Sequence, residues 1–175
     1  GPGESAQVGP YTLTYRSLED GQEAVYSRNT LRIDLKKGNE LLLPVFHEGA
    51  YLYLGDIHAS EGDSEFYGVA DESRAEVTVS CEVVRRHIII PAPRIETPTS
   101  IIQLHSFRPL DDAIMQAFRW LIDWMVQDYG INPREAYMHM DLNPDLRIHV
   151  YQMVKMGRIN YTVGVEIPKR YLDNA

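Results

Sequence analysis

The sequence predicts an α+β fold. A β-rich first half, with sandwich- or barrel-like strands, leads to two helices and two further strands packed on the sheet. Three observations carry this reading. Apolar residues recur at every second position through much of residues 30–84. The repeat lengthens to about 3.6 after Pro109 and returns to two beyond Leu146.

Tyr11–Tyr15 alternates aromatic residues with threonine. Leu31, Ile33 and Leu35 share one face of a strand over Thr30–Leu35, and Lys36-Lys37-Gly38-Asn39 turns the chain. Leu41–Phe46 is an apolar strand that Pro44, lacking an N–H, assigns to an edge or a bulge. Ala50–Leu54 reads as another short strand and the acid-rich Glu61–Glu65 as a loop. Over Glu76–Val84, Val77, Val79, Cys81 and Val83 alternate with Thr78, Ser80 and Glu82, and His87–Ile90 carries that strand into the interior.

The second half opens with a helix over Leu110–Tyr129. Ile114, Ala117, Phe118, Leu121 and Met125 form its apolar stripe, Asp111 and Asp112 suit its positive end, and Gly130 stops it. Asn132-Pro133-Arg134-Glu135 starts a second helix, with Asn as cap and Pro in the first turn, running to about Met140 and ending before Pro144. Its Tyr137-Met138-His139-Met140 run reads as core with one polar end. Leu146–Val154 and Tyr161–Ile167 then alternate as two strands, an antiparallel pair around Met156-Gly157-Arg158.

Composition narrows the function. The 175 residues carry 17 Lys+Arg against 25 Asp+Glu, a formal charge of −8. That excludes a general binder of nucleic acid or anionic membrane, since both need a positive field. Cys81 stands alone, so no disulfide forms within the chain and no four-cysteine zinc site exists. No apolar run approaches the roughly 20 residues of a membrane span, and Gly1–Gln7 lacks the basic and apolar regions of a signal peptide. The expectation is a cytoplasmic protein, and a start without Met points to a fragment, a processed product or a cleaved tag.

The densest polar run is Gly55-Asp56-Ile57-His58-Ala59-Ser60-Glu61-Gly62-Asp63-Ser64-Glu65. On a strand, Asp56 and His58 face one spot, and Asp63 and Glu65 do the same if extended. An imidazole among carboxylates suits a divalent metal, or a general base with an orienting acid. The same run also reads as a solvated acidic turn. His47 reads as a satisfied polar residue at a strand end. Arg94 and Glu96, in Pro93–Pro98, read as an ion pair or as the border of a ligand. Cys81 reads as buried and inert, and Arg85-Arg86 as a solvated strand edge.

The block Leu43-Pro44-Val45, Glu48-Gly49-Ala50, Gly55-Asp56-Ile57-His58-Ala59, Gly62-Asp63-Ser64-Glu65 and Gly68-Val69-Ala70 resembles the signature of the acetamidase/formamidase family. There the run reads G-D-x-H-A-x-Q-G-D-G-E, then G-V-A. Pro93–Thr99 is similar to the following P-R-x-E-T-P segment. A long helix, Gly130 to Ala136, Asp145–Ile148 and Ile167–Lys169 continue the resemblance in order. Glu61 stands where the family has Gln, Ser64 where it has Gly, and Ser27-Arg28-Asn29-Thr30-Leu31 where it has G-G-N-x-D.

The resemblance implies the C-terminal half of the family fold over 29–175, after a lead-in over 1–28. It further implies hydrolysis of short amides to carboxylate and ammonia, a reaction whose water activation and carbonyl polarisation a divalent metal such as zinc would serve. Asp56 and His58 are the candidate ligands, and Glu65 or Asp63 the base. Asn29 would hydrogen-bond the amide, and Glu61 and Glu96 would border the substrate. The alternative is a non-catalytic relative that binds a small ligand or metal, or the subunit partner of a separate N-terminal half. A half-length chain is expected to associate, as a homo-oligomer or with a partner chain.

Overall fold

The period-two stretches of the first half pair with one another as strands. A computed structural model describes residues 5–8, 11–15, 29–35, 39–47, 49–74, 78–85 and 90–172. The chain divides into one unit drawn from Gly1–Ile57 and Ser73–Pro98 and another drawn from His58–Glu72 and Thr99–Ala175.

In the first unit β1 (Ser5–Val8) pairs antiparallel with β2 (Tyr11–Tyr15), which runs parallel to β7 (Thr78–Arg85). Beyond β7 come β3 (Asn29–Leu35), β4 (Asn39–Pro44) and β8 (Arg94–Glu96), each antiparallel to its neighbour. Two expectations are corrected. β4 is paired on both sides and is not an edge. Pro44 is tolerated because it ends the strand, while β8 reaches only Glu40 to Leu42. Ala50–Leu54 is irregular, with Tyr51 and Tyr53 exposed and Leu52 and Leu54 half-buried, and forms no strand. The expected turn at Lys36–Gly38, the segment at Ser27-Arg28, and His87–Ile89 lie outside the described residues; Ile90 is buried as expected.

In the second unit β11 (Tyr161–Pro168) lies between β9 (Ser100–Phe107) and β10 (Arg147–Gln152), antiparallel to both. The β10–β11 pair agrees with its sequence reading, and Gly157 between them takes a φ of 56°. β9 escapes a period-two search because Ile101, Ile102 and Gln103 are all buried, so no alternation marks it. The register sets Ile167 opposite Ile101 and Val165 opposite Gln103. Val163, Val165, Ile167 and Ile101 form one cluster with the stripe of α1 (Leu110–Tyr129).

That stripe is Ala113, Ala117, Leu121, Trp124 and Met125. α1 has the bounds its periodicity predicts, and Gly130 closes it in the left-handed conformation with its N–H donating to the Met125 carbonyl. In α2 (Pro133–Leu142) the Asn132 side chain accepts from the Arg134 N–H at 3.0 Å, as its cap position requires. α2 runs past Met140 to Leu142. It buries only Ala136, and Tyr137 and Met138 are exposed, which corrects their reading as core. At the end of the unit the Asp145 carboxylate accepts from Arg170 at 2.6 Å and from the Tyr171 hydroxyl.

Gly164 sits on the β11 face opposite the one sealed by α1. A Cβ there would lie 2.8 Å from the Tyr151 ring and 2.9 Å from Ile102. Gly164→Ala is expected to cost about 1–3 kcal/mol by overpacking, read as a lower denaturant midpoint at unchanged slope. The hydrogen bonds from Tyr171 and then Arg170 hold the Asp145 carboxyl below its ordinary value. A carboxyl depressed in the folded state stabilises above its unfolded pKa and loses that contribution as pH falls through the folded one. The stability gap between the native chain and Asp145→Asn should therefore be full at neutral pH and close in acid, measured by urea melts along a pH series.

Candidate functional site

The acidic run folds as a hairpin. β5 (His58–Ser60) pairs with β6 (Asp71–Glu72), His58 opposite Glu72, and a register slip follows between His58 and Ser60. The Ser73 N–H donates to the Ile57 carbonyl at 2.9 Å beside the hairpin. His58 Nδ1–H donates to the Glu61 carboxylate at 2.8 Å, and Nε2 lies 3.4 Å from Glu72. The imidazole is only 10 % exposed.

Asp56 and His58 are brought together, but not by a shared strand face. Asp56 precedes β5 with a φ of 59°, and this turn of backbone brings its carboxylate to the ring. Asp56, His58 and Glu72 each offer a ligand atom, and these atoms lie within 4.8 Å of one another. One imidazole and two carboxylates form a donor set suited to zinc or another divalent cation. A carboxylate on the far ring nitrogen, here Glu61, is the usual way to fix such a ring's tautomer and direction. Glu61, assigned by its motif to the substrate, thus sits against the imidazole.

Asp63 and Glu65 are not extended. They flank Ser64 in a 3₁₀ turn over Asp63–Glu65, where Ser64 has a φ of 78° and Glu65 of 41°. The loop reading of Glu61–Glu65 therefore holds, and the condition for a shared strand face of these two acids is not met. The turn is held internally by Glu65 N–H to Gly62 O at 3.1 Å and Gly68 N–H to Glu65 O at 2.8 Å. It is anchored outward by Met153 N–H to Ser64 O at 2.8 Å, just past the end of β10.

The other candidates lie in the first unit. Asn29 opens β3, its backbone opposite Arg85, and its side chain lies outside the described part. Glu96 ends β8, half-buried, and Arg94 is buried. His47 is exposed at a bend, and Cys81 is half-buried in β7. Glu72 was missed by sequence reasoning. Its signal was the Asp71-Glu72 pair closing the Gly68-Val69-Ala70 stretch, but only hairpin pairing places it opposite His58.

Residues 29–101 match the sequence profile of the Acetamidase/Formamidase family. The chain is similar to an acetamidase structure from Yersinia enterocolitica, with a TM-score of 0.68 and 33% identity over 79% of this chain and 41% of that one. It is similar to an acetamidase structure from Bacillus halodurans, with a TM-score of 0.56 and 27% identity over 77% of this chain and 43% of that one. A Schizosaccharomyces pombe protein provisionally named a formamidase is 39% identical over 57 residues, 31% of this chain and 14% of its own length. The chain spans less than half the length of each of these relatives. The family resemblance read from the sequence is borne out, and so is the α+β class.

Proposed function

We propose that the chain takes part in hydrolysing short linear amides, such as formamide or acetamide, to a carboxylate and ammonia. The observation that carries this reading is the Asp56–His58–Glu72 donor set, built within the segment that matches the family. A divalent cation, zinc being the best suited, would supply Lewis-acid polarisation of the amide carbonyl and a more acidic water.

The chain's own residues do the rest. Glu61 holds the imidazole through Nδ1, leaving Nε2 turned towards Glu72. Asp63 or Glu65, on the anchored turn, takes the proton of the attacking water and returns it to the leaving nitrogen. Asn29 and Glu96 are assigned to orienting the amide. The family-like part is taken as 29–175, with 1–28 as lead-in, in a cytoplasmic protein. Among the described residues no helix is long and apolar enough to cross a membrane, and the net charge of −8 disfavours nucleic acid.

Between the turn and β6, Phe66, Tyr67 and Val69 are 52%, 82% and 77% exposed. Apolar side chains this open beside a site favour association, so the working form is assigned a second copy or a separate partner chain. The departure at Ser27-Arg28-Asn29-Thr30-Leu31 from the G-G-N-x-D run favours a second reading, a metal-binding subunit without turnover of its own.

Two measurements test this. Ammonia release from formamide and acetamide should be lost with chelator and restored by zinc; release undiminished by chelator would overturn the metal assignment. Zinc binding followed by calorimetry should disappear in His58→Ala and weaken by about 10–100-fold in Glu61→Gln, with thermal melts confirming a folded chain. Zinc bound with no ammonia released would select the non-catalytic reading.

A further inference from the structure

β10 carries its apolar residues Ile148 and Val150 towards the α1 face, opposite Val165 and Val163. The intervening residues, His149 and Tyr151, occupy the other face and have no part in the function assigned above. His149 Nε2 lies 2.6 Å from the Glu166 carboxylate of β11. Its ring stacks on Tyr151, with centroids 5.6 Å apart and planes at 15°.

Tyr151 is placed by two backbone features. The β10–β11 register shifts between Val150 and Gln152, so Tyr151 sits at a bulge, a device that re-aims a side chain. Gly164 beneath leaves room for the ring, which a Cβ there would meet at 2.8 Å. Two residues on, the Met153 N–H holds the Ser64 carbonyl, fixing this end of β10 to the turn that bears Asp63 and Glu65. Tyr151 is half-buried, and burial first, then the negative charges of Glu166 and Asp63, push its phenol above the ordinary value. The group is therefore a neutral O–H donor at physiological pH, within electrical reach of the acid turn.

We infer that Tyr151 is a substrate-binding residue of the same site, its phenol donating to the amide carbonyl oxygen, with His149 and Glu166 as the positioning pair that holds its ring. This rests on the amide reading above. That reading gives the second unit acids and a cation but no neutral donor for the oxygen on which charge develops, since Asn29, the one amide donor it names, belongs to the first unit. A pre-placed donor at that oxygen commonly contributes about 10²–10³-fold in kcat. His149 and Glu166 act through Tyr151: a hydrogen-bonded imidazole stacked on the ring limits its motion without touching the substrate.

The test combines turnover with a signal independent of it. With ring-¹³C tyrosine in the whole chain, the Tyr151 resonance is identified among the 11 tyrosines by its absence in Tyr151→Phe. Acetamide should shift that resonance saturably. Tyr151→Phe should lower kcat by about 10²-fold with little change in KM and an unchanged melt, and His149→Gln, which keeps a donor for Glu166, should retain more activity than His149→Ala. A native chain that releases no ammonia yet shows the saturable shift would end the hydrolase reading and leave the amide contact standing. Full kcat in Tyr151→Phe, or no shift at any acetamide concentration, would overturn the inference.

Discussion

The register of β11 is the constraint on which the second unit depends. Val163, Val165 and Ile167 are fully buried against α1, and strand residues alternate faces, so Thr162, Gly164 and Glu166 must point the other way. A slip of one residue would bury Glu166 in the apolar cluster and expose three valine and isoleucine side chains. The energy that fixes the register is hydrophobic, about 1.5–3 kcal/mol for each such side chain. What it fixes is polar: Glu166 beside His149, and an open Gly164 beneath the Tyr151 ring. The helix stripe thereby sets the position of the groups on the far face.

The hairpin is built on the opposite principle, local strain. Asp56, Ser64 and Glu65 are the non-glycine residues with positive φ among the described residues, and all lie within one stretch of ten. Each such residue costs of order 1 kcal/mol and persists only where surrounding contacts over-determine it. Here those contacts are visible: the Glu61–His58–Glu72 pairing across the hairpin and the backbone bonds into and out of the turn. Ser64 occupies the place of a family glycine, and its φ of 78° gives the physical reason for glycine there.

Sequence legibility follows the same division. Period and caps mark α1 and α2 because Ala117, Leu121 and Met125 recur on one helical face and Gly130 and Asn132 have local reasons to be where they are. β9 carries no such mark, since Ile101, Ile102 and Gln103 are all buried and the pattern is lost. Ala50–Leu54 has a strand's alternation without a partner to pair with. At the site, Asp56 and His58 were legible as a motif but for the wrong geometric reason. Asp63 and Glu65 were legible as part of a loop, but serine and glutamate give no sign of its left-handed backbone. Glu72, His149, Tyr151 and Glu166 become visible only through pairing between strands.

Two imidazoles in this unit share one arrangement: His58 has a carboxylate at 2.8 Å and His149 one at 2.6 Å. The nitrogen engaged differs, and that difference separates their roles. Glu61 takes Nδ1 of His58 and leaves Nε2 facing the carboxylate of Glu72, the direction a cation ligand needs. Glu166 takes Nε2 of His149, and the ring lies flat on Tyr151. There the imidazole's face does the work, not its second nitrogen. The same acid–imidazole pairing thus aims a lone pair in one place and a plane in the other, and the Met153–Ser64 backbone bond joins the two arrangements.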